Sequence, residues 1–113
     1  MGNRQSKIYN HITGARYPIK LLYYCDLIPP IITQIYLKLN NDGLHFYQND
    51  KVFFHIEWNQ IASWHIEKEN LTFLLNNSFR TSISISSLYA ETLYNHASSI
   101  TRNLAHNIID YPN

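Results

Sequence analysis

The sequence is poor in cysteine, glycine and charge, and it has no long apolar run. Its single cysteine, Cys25, excludes an intramolecular disulfide framework and any multi-cysteine zinc site. A lone cysteine at an inward strand position is expected to be a buried apolar residue. With only three glycines, Gly2, Gly14 and Gly43, no phosphate-cradling loop can be built. Charged residues make up 15% of the chain, below the quarter or so typical of soluble domains. Nine Lys and Arg against eight Asp and Glu leave a formal charge of +1, so no broad basic surface exists for a polyanion and no nucleic-acid partner is expected. Nowhere do roughly 18 consecutive apolar residues occur, and residues 1–20 lack the apolar block of a secretory signal. The chain is therefore expected neither to span a membrane nor to be exported by that route.

What is present is enough for a core. The chain has 113 residues, 45% of them hydrophobic and 14% aromatic, including nine tyrosines. This implies one folded domain and excludes intrinsic disorder.

Between residues 18 and 86 the apolar positions alternate with period two in seven short runs separated by turn residues, the pattern of half-buried antiparallel strands. The first run puts Ile19, Leu21, Tyr23, Cys25 and Leu27 on one face and stops at Asp26, Pro29 and Pro30, since proline cannot continue a ladder. The second sets Ile35, Leu37 and Leu39 inward, and Asn40-Asn41-Asp42-Gly43 makes a turn. Leu44 and Phe46 form the third inward pair. After a turn over residues 48–51, the fourth run points Val52, Phe54, Ile56 and Trp58 inward. Trp64 and Ile66 belong to the fifth run, Leu71, Phe73 and Leu75 to the sixth, and Phe79, Ile83 and Ile85 to the seventh.

After Ser86 and Ser87, either of which can cap a helix, the period changes to that of a helix. Tyr89, Ala90, Leu93, Ala97, Ile100, Leu104 and Ile108 make one apolar stripe over about five turns, with Glu91 in the first turn, where it favours the helix dipole. Seven short strands and one amphipathic helix predict a mainly β fold: a seven-stranded antiparallel bent sandwich or partly open barrel capped by one C-terminal helix.

The N-terminus reads as an address. Met1-Gly2-Asn3-Arg4-Gln5-Ser6-Lys7 fits the pattern for myristoylation of Gly2 after removal of Met1. One myristoyl chain binds membranes marginally and reversibly, so a second signal is required, which Arg4, Lys7, Arg16 and Lys20 can supply electrostatically. The expected division is a targeting segment over residues 1–17 and a domain over residues 18–111. The expected location is the cytoplasmic face of a membrane, with a reversible cytosolic pool.

The strand order resembles the pleckstrin-homology superfold, and within it the phosphotyrosine-binding domain and the third lobe of FERM domains. The resemblance is carried by Gly43-Leu44-His45-Phe46, by the corner Ile56-Glu57-Trp58-Asn59-Gln60-Ile61, by the strand over residues 81–85 and by the helix over residues 90–104. A myristoylated tip before such a domain also resembles receptor-substrate scaffold proteins. The resemblance implies that an extended peptide adds a strand beside the fifth strand, in the groove against the helix. The positions it marks are Ser63, His65, Glu67 and Lys68, with Tyr94, Ala97, Ile100, Thr101 and Leu104. Only Lys68 and Arg80 offer a positive charge near this groove, so an unphosphorylated protein or peptide is the expected partner.

The loop between the first two strands carries one acid and no base, which disfavours specific headgroup recognition. Its Ile28, Pro29, Pro30, Ile31 and Ile32 form an apolar rim that can touch a bilayer or a partner, or pack beneath the barrel. His45 and His55 both point outward, opposite one another across a turn at Asp50, but two imidazoles without a nearby acid make a poor site, so no metal and no cofactor are expected. No nucleophile has a positioned base, so no catalytic residue is assigned and no enzyme activity is expected. The sequence thus predicts a non-catalytic, membrane-tethered adaptor. A phosphoinositide-binding module and a self-assembling structural subunit are the alternatives.

Overall fold

The computed structural model describes residues 15–23, 28, 34–77 and 81–109. The expectations for Gly2, Arg4, Lys7, Cys25, Asp26, Leu27, Pro29, Pro30, Ile31, Ile32, Phe79 and Arg80 lie outside these residues. Strands β1 (Arg16–Tyr23), β2 (Ile35–Leu39), β3 (Gly43–Gln48) and β4 (Lys51–Glu57) lead through a 3-10 turn (Trp58–Gln60) to β5 (Ile61–Glu67), β6 (Asn70–Leu75) and β7 (Ser82–Ser86). Helix α1 (Ala90–Ile109) follows. The strands form one antiparallel seven-stranded sheet in the order β4-β3-β2-β1-β7-β6-β5.

The sheet bends at β1, which changes partner half-way. Arg16, Tyr17, Pro18 and Ile19 pair with β2, whereas Lys20, Leu21 and Tyr23 pair with β7. The two halves thereby face each other, and the inward residues of both meet α1 in one core. Leu37, Leu44, Phe46, Leu71, Phe73, Ile83, Ile85, Leu93 and Ala97 have no exposed surface. Each such Leu, Ile or Phe contributes about 1.5–3 kcal/mol by leaving water. This is the bent, partly open antiparallel fold with a C-terminal helix that the period-two runs and the final 3.6-period stripe predict.

The β3–β4 hairpin departs from simple alternation. Asn49 and Asp50 adopt positive φ, 55° and 64°, as a two-residue turn with a twist matching the strands requires. Next to the turn, Gln48 pairs with Lys51 and Tyr47 with Val52, so paired residue numbers sum to 99. A bulge then inserts Phe53, and from Phe46 and Phe54 onward the sum is 100. The bulge reverses the phase of the strand's start, which leaves Val52 45% exposed instead of inward. It also brings His45 directly opposite His55.

At the helix start Ser87 is the capping residue. Its Oγ accepts the Tyr89 N–H at 3.0 Å and donates to the Pro18 carbonyl at 2.8 Å, tying α1 to β1. Tyr89 precedes the first helical residue and is 41% exposed, so the apolar stripe begins at Ala90 and not at Tyr89.

Candidate functional site

The β5 edge is the surface that the resemblance implies. Among the described residues, β5 is a terminal strand of the sheet, paired with β6 only, and it runs beside α1. Alternation divides its side chains. Trp64 and Ile66 turn toward the core, and the Trp64 indole N–H reaches Ser98 Oγ on α1 at 3.4 Å. Ser63, His65 and Glu67 lie exposed on the opposite face, where His65 and Glu67 border a concavity with Leu22, Asn70, Thr72 and Ser84. Lys68 holds the β5–β6 turn with φ of 57°.

On the helix, Ala97 and Ile100 are buried against the sheet. Tyr94 and Leu104 are half-buried beside the core, and the Thr101 hydroxyl donates to the Ala97 carbonyl at 2.8 Å. Trp64, Ile66, Tyr94 and Leu104 are partly buried against the core where β5 runs beside α1, and Ser98 meets Trp64 there. Among the described residues the outer main-chain edge of β5 is unpaired, and Ser63, His65 and Glu67 point away from the helix side. Ser98 lies outside the positions that the resemblance marks, and its contact with Trp64 is tertiary.

A second cluster lies on β3, β4 and the turn before β3. The His45 and His55 rings face each other with centroids 4.4 Å apart. Asp42 reaches both: Oδ1 is 2.9 Å from His45 Nε2, and Oδ2 is 3.6 Å from His55 Nε2. The hydrogen bond with His45 holds the Asp42 carboxyl below the usual carboxylate range. Asp42 is itself fixed by its neighbours, since the Trp58 main-chain N–H donates to the Asp42 carbonyl at 3.2 Å and the Trp58 indole N–H to the Asn40 carbonyl at 2.8 Å. The expectation that the two histidines lack a nearby acid is therefore corrected. The signal for Asp42 was its spacing of three from His45 within the turn.

The remaining positions are more dispersed. Arg16 pairs with Asp50 at 3.1 Å and lies 4.0 Å over the Tyr47 ring, so this cation is engaged by the β3–β4 hairpin. Lys20 is exposed on β1. Ile28 is 6% exposed and joins the core, the packed alternative for this residue of the rim.

His96, on α1, borders the concavity facing Asn40, Asn41 and Asp42, and burial lowers its pKa from the ordinary value of 6.5. The unfolded chain therefore takes up this proton at higher pH than the folded protein does. The stabilisation is complete above about pH 6.5 and is lost as pH falls through the folded value. Denaturant unfolding at pH 8 and pH 5 is expected to show a smaller loss of stability for His96→Gln than for wild type, and equal losses would contradict the assignment.

No protein-family model matches the chain, and no curated protein matches it. Solved structures do match. One is the crystal structure of the FERM and C-terminal domain complex of Drosophila Merlin, with a TM-score of 0.62 at 14% identity. The match covers 96% of this chain and 37% of that one, so the chain spans little more than a third of that protein's length. The likeness establishes the fold that the strand order and the corner at Trp58 suggested.

Proposed function

We propose that this chain is a non-catalytic adaptor, tethered to the cytoplasmic face of a membrane by a myristoylated Gly2, that recruits a protein or peptide along β5. The observation that carries the reading is the terminal strand β5 lying beside α1, with its outer main-chain edge unpaired among the described residues. Such an edge normally attracts another strand, and proteins either protect it or use it. Support of a second kind comes from the solved FERM structure, which is described as a complex with a C-terminal domain. The tether rests on the Gly2 and Ser6 pattern. Engagement of Arg16 by Asp50 and Tyr47 weakens the phosphoinositide alternative, because it occupies one of the few cations on β1.

A photocrosslinking residue placed singly at Ser63, Thr101 and Val52 tests the docking surface in cells. The proposal predicts the same crosslinked partner from Ser63 and Thr101 and none from Val52, which lies on β4 at the other end of the sheet. Equal crosslinking from all three positions, or crosslinking from Val52 alone, would contradict it.

A further inference from the structure

The Asp42, His45 and His55 cluster has the composition of a metal site. We infer that it binds a divalent transition-metal ion of the zinc class through His45 Nε2, His55 Nε2 and one Asp42 carboxylate oxygen, and this is independent of the β5 reading. The ligand atoms all lie within 4.8 Å of one another. Ligands about 2.0–2.2 Å from a tetrahedral zinc sit roughly 3.3 Å apart. The two carboxylate oxygens of Asp42 lie near that spacing from the imidazoles, Oδ1 at 2.9 Å from His45 Nε2 and Oδ2 at 3.6 Å from His55 Nε2.

Two imidazoles and one carboxylate suit zinc, nickel and copper, while calcium and magnesium demand a shell of oxygens. The backbone supplies the preorganisation. His45 and His55 are register partners on paired strands, held opposite each other by the Phe53 bulge, and the Trp58 bonds to the Asn40 and Asp42 carbonyls fix the turn that presents the carboxylate. An ion would take the place of the hydrogen shared by His45 Nε2 and Asp42 Oδ1, and the arrangement leaves the remaining coordination open to water or a partner's donor. Exposure keeps the site reachable, with 16%, 35% and 58% of the His45, His55 and Asp42 side chains open to solvent.

Zinc chloride titrated into chelator-stripped full-length protein, followed by calorimetry and thermal unfolding, tests the inference. A stoichiometry of one is expected, with the unfolding midpoint rising by about 10 °C at a hundredfold excess over Kd. Asp42→Asn and His55→Gln should each weaken binding by about tenfold or more, whereas His65→Gln, on β5, should leave it unchanged. His55 lies on the exposed face of β4, so His55→Gln is expected to fold and keeps the test decisive if Asp42→Asn does not. Cobalt(II) in place of zinc should give the visible absorption of a four-coordinate ion, lost in His55→Gln. Affinity equal in wild type and His55→Gln, or loss of zinc binding on His65→Gln, would mean adventitious surface binding and would overturn the inference. Failure of wild type to bind zinc below millimolar concentration would overturn it as well.

Discussion

Replacing Gly43 with alanine is expected to lower the thermal midpoint by on the order of 10–20 °C. Gly43 opens β3 at φ +154°, a conformation that L side chains rarely adopt, and it pairs with Glu57. A Cβ there would be driven into the Ile56 carbonyl oxygen and would stand 2.7 Å from Glu57 Cα and 2.8 Å from the Ile56 carbonyl carbon. Backbone cannot step aside as a flexible side chain can. Strain at such a φ costs about 1–3 kcal/mol and overpacking a similar amount, so the sum is a large part of the 5–15 kcal/mol by which a domain is stable. Asn41→Ala, at an exposed position in the same turn, is expected to stay within about 0.5 kcal/mol of wild type. Denaturant unfolding of the two variants compares them directly, and a Gly43→Ala protein as stable as Asn41→Ala would mean that β3 and β4 do not approach so closely.

Phe73→Ala is expected to cost about 3–5 kcal/mol, with a midpoint lower by roughly 12–20 °C. Phe73 is fully buried at the centre of β6, opposite Trp64 on one side and Ile83 on the other, and its ring centroid is 6.5 Å from that of Trp64. Truncation removes the apolar area and also leaves a cavity that the paired backbones of β5, β6 and β7 prevent from collapsing. Trp64 in turn meets Trp58 at 5.7 Å, so the loss is expected to loosen the wall of the β5 groove and to change tryptophan fluorescence. A loss below about 1 kcal/mol by urea unfolding would contradict the placement of Phe73 in the core.

Those two residues also mark what the sequence made legible. Phe73 belongs to a run, Leu71, Phe73 and Leu75, whose period-two phase alone assigns it inward, and the same holds for Leu37, Leu39, Ile83 and Ile85. Helix α1 was readable from Ala90, Leu93, Ala97 and Ile100 because no proline or glycine interrupts the stripe. Alternation fails where the ladder is irregular. Nothing in Val52-Phe53-Phe54 says which residue is the bulge, since all three are apolar, and the phase of Val52 came out reversed. The same bulge compensates for the two-residue turn at Asn49 and Asp50, which is why symmetry about Asp50 still paired the histidines correctly.

The candidate site was partly legible for similar reasons. Strand β5 as an edge follows from the strand order that the resemblance implies, and a helix turns one stripe inward, in which Ala97 and Ile100 fall. His65 and Glu67 share the outward phase and therefore lie on the face away from α1. Asp42 joined His45 and His55 through the shape of the 40–43 turn and the hydrogen bonds from Trp58, which are tertiary and have no periodic signature.

The most direct test of the proposed tether is intact mass and membrane fractionation of wild type beside Gly2→Ala, each produced with a myristoyl transferase present. The account predicts that wild type gains one myristoyl group and partitions to membrane in a salt-sensitive manner, while Gly2→Ala gains none and remains in the soluble fraction. Both proteins soluble and unacylated, or both membrane-bound regardless of Gly2, would contradict the tethered adaptor.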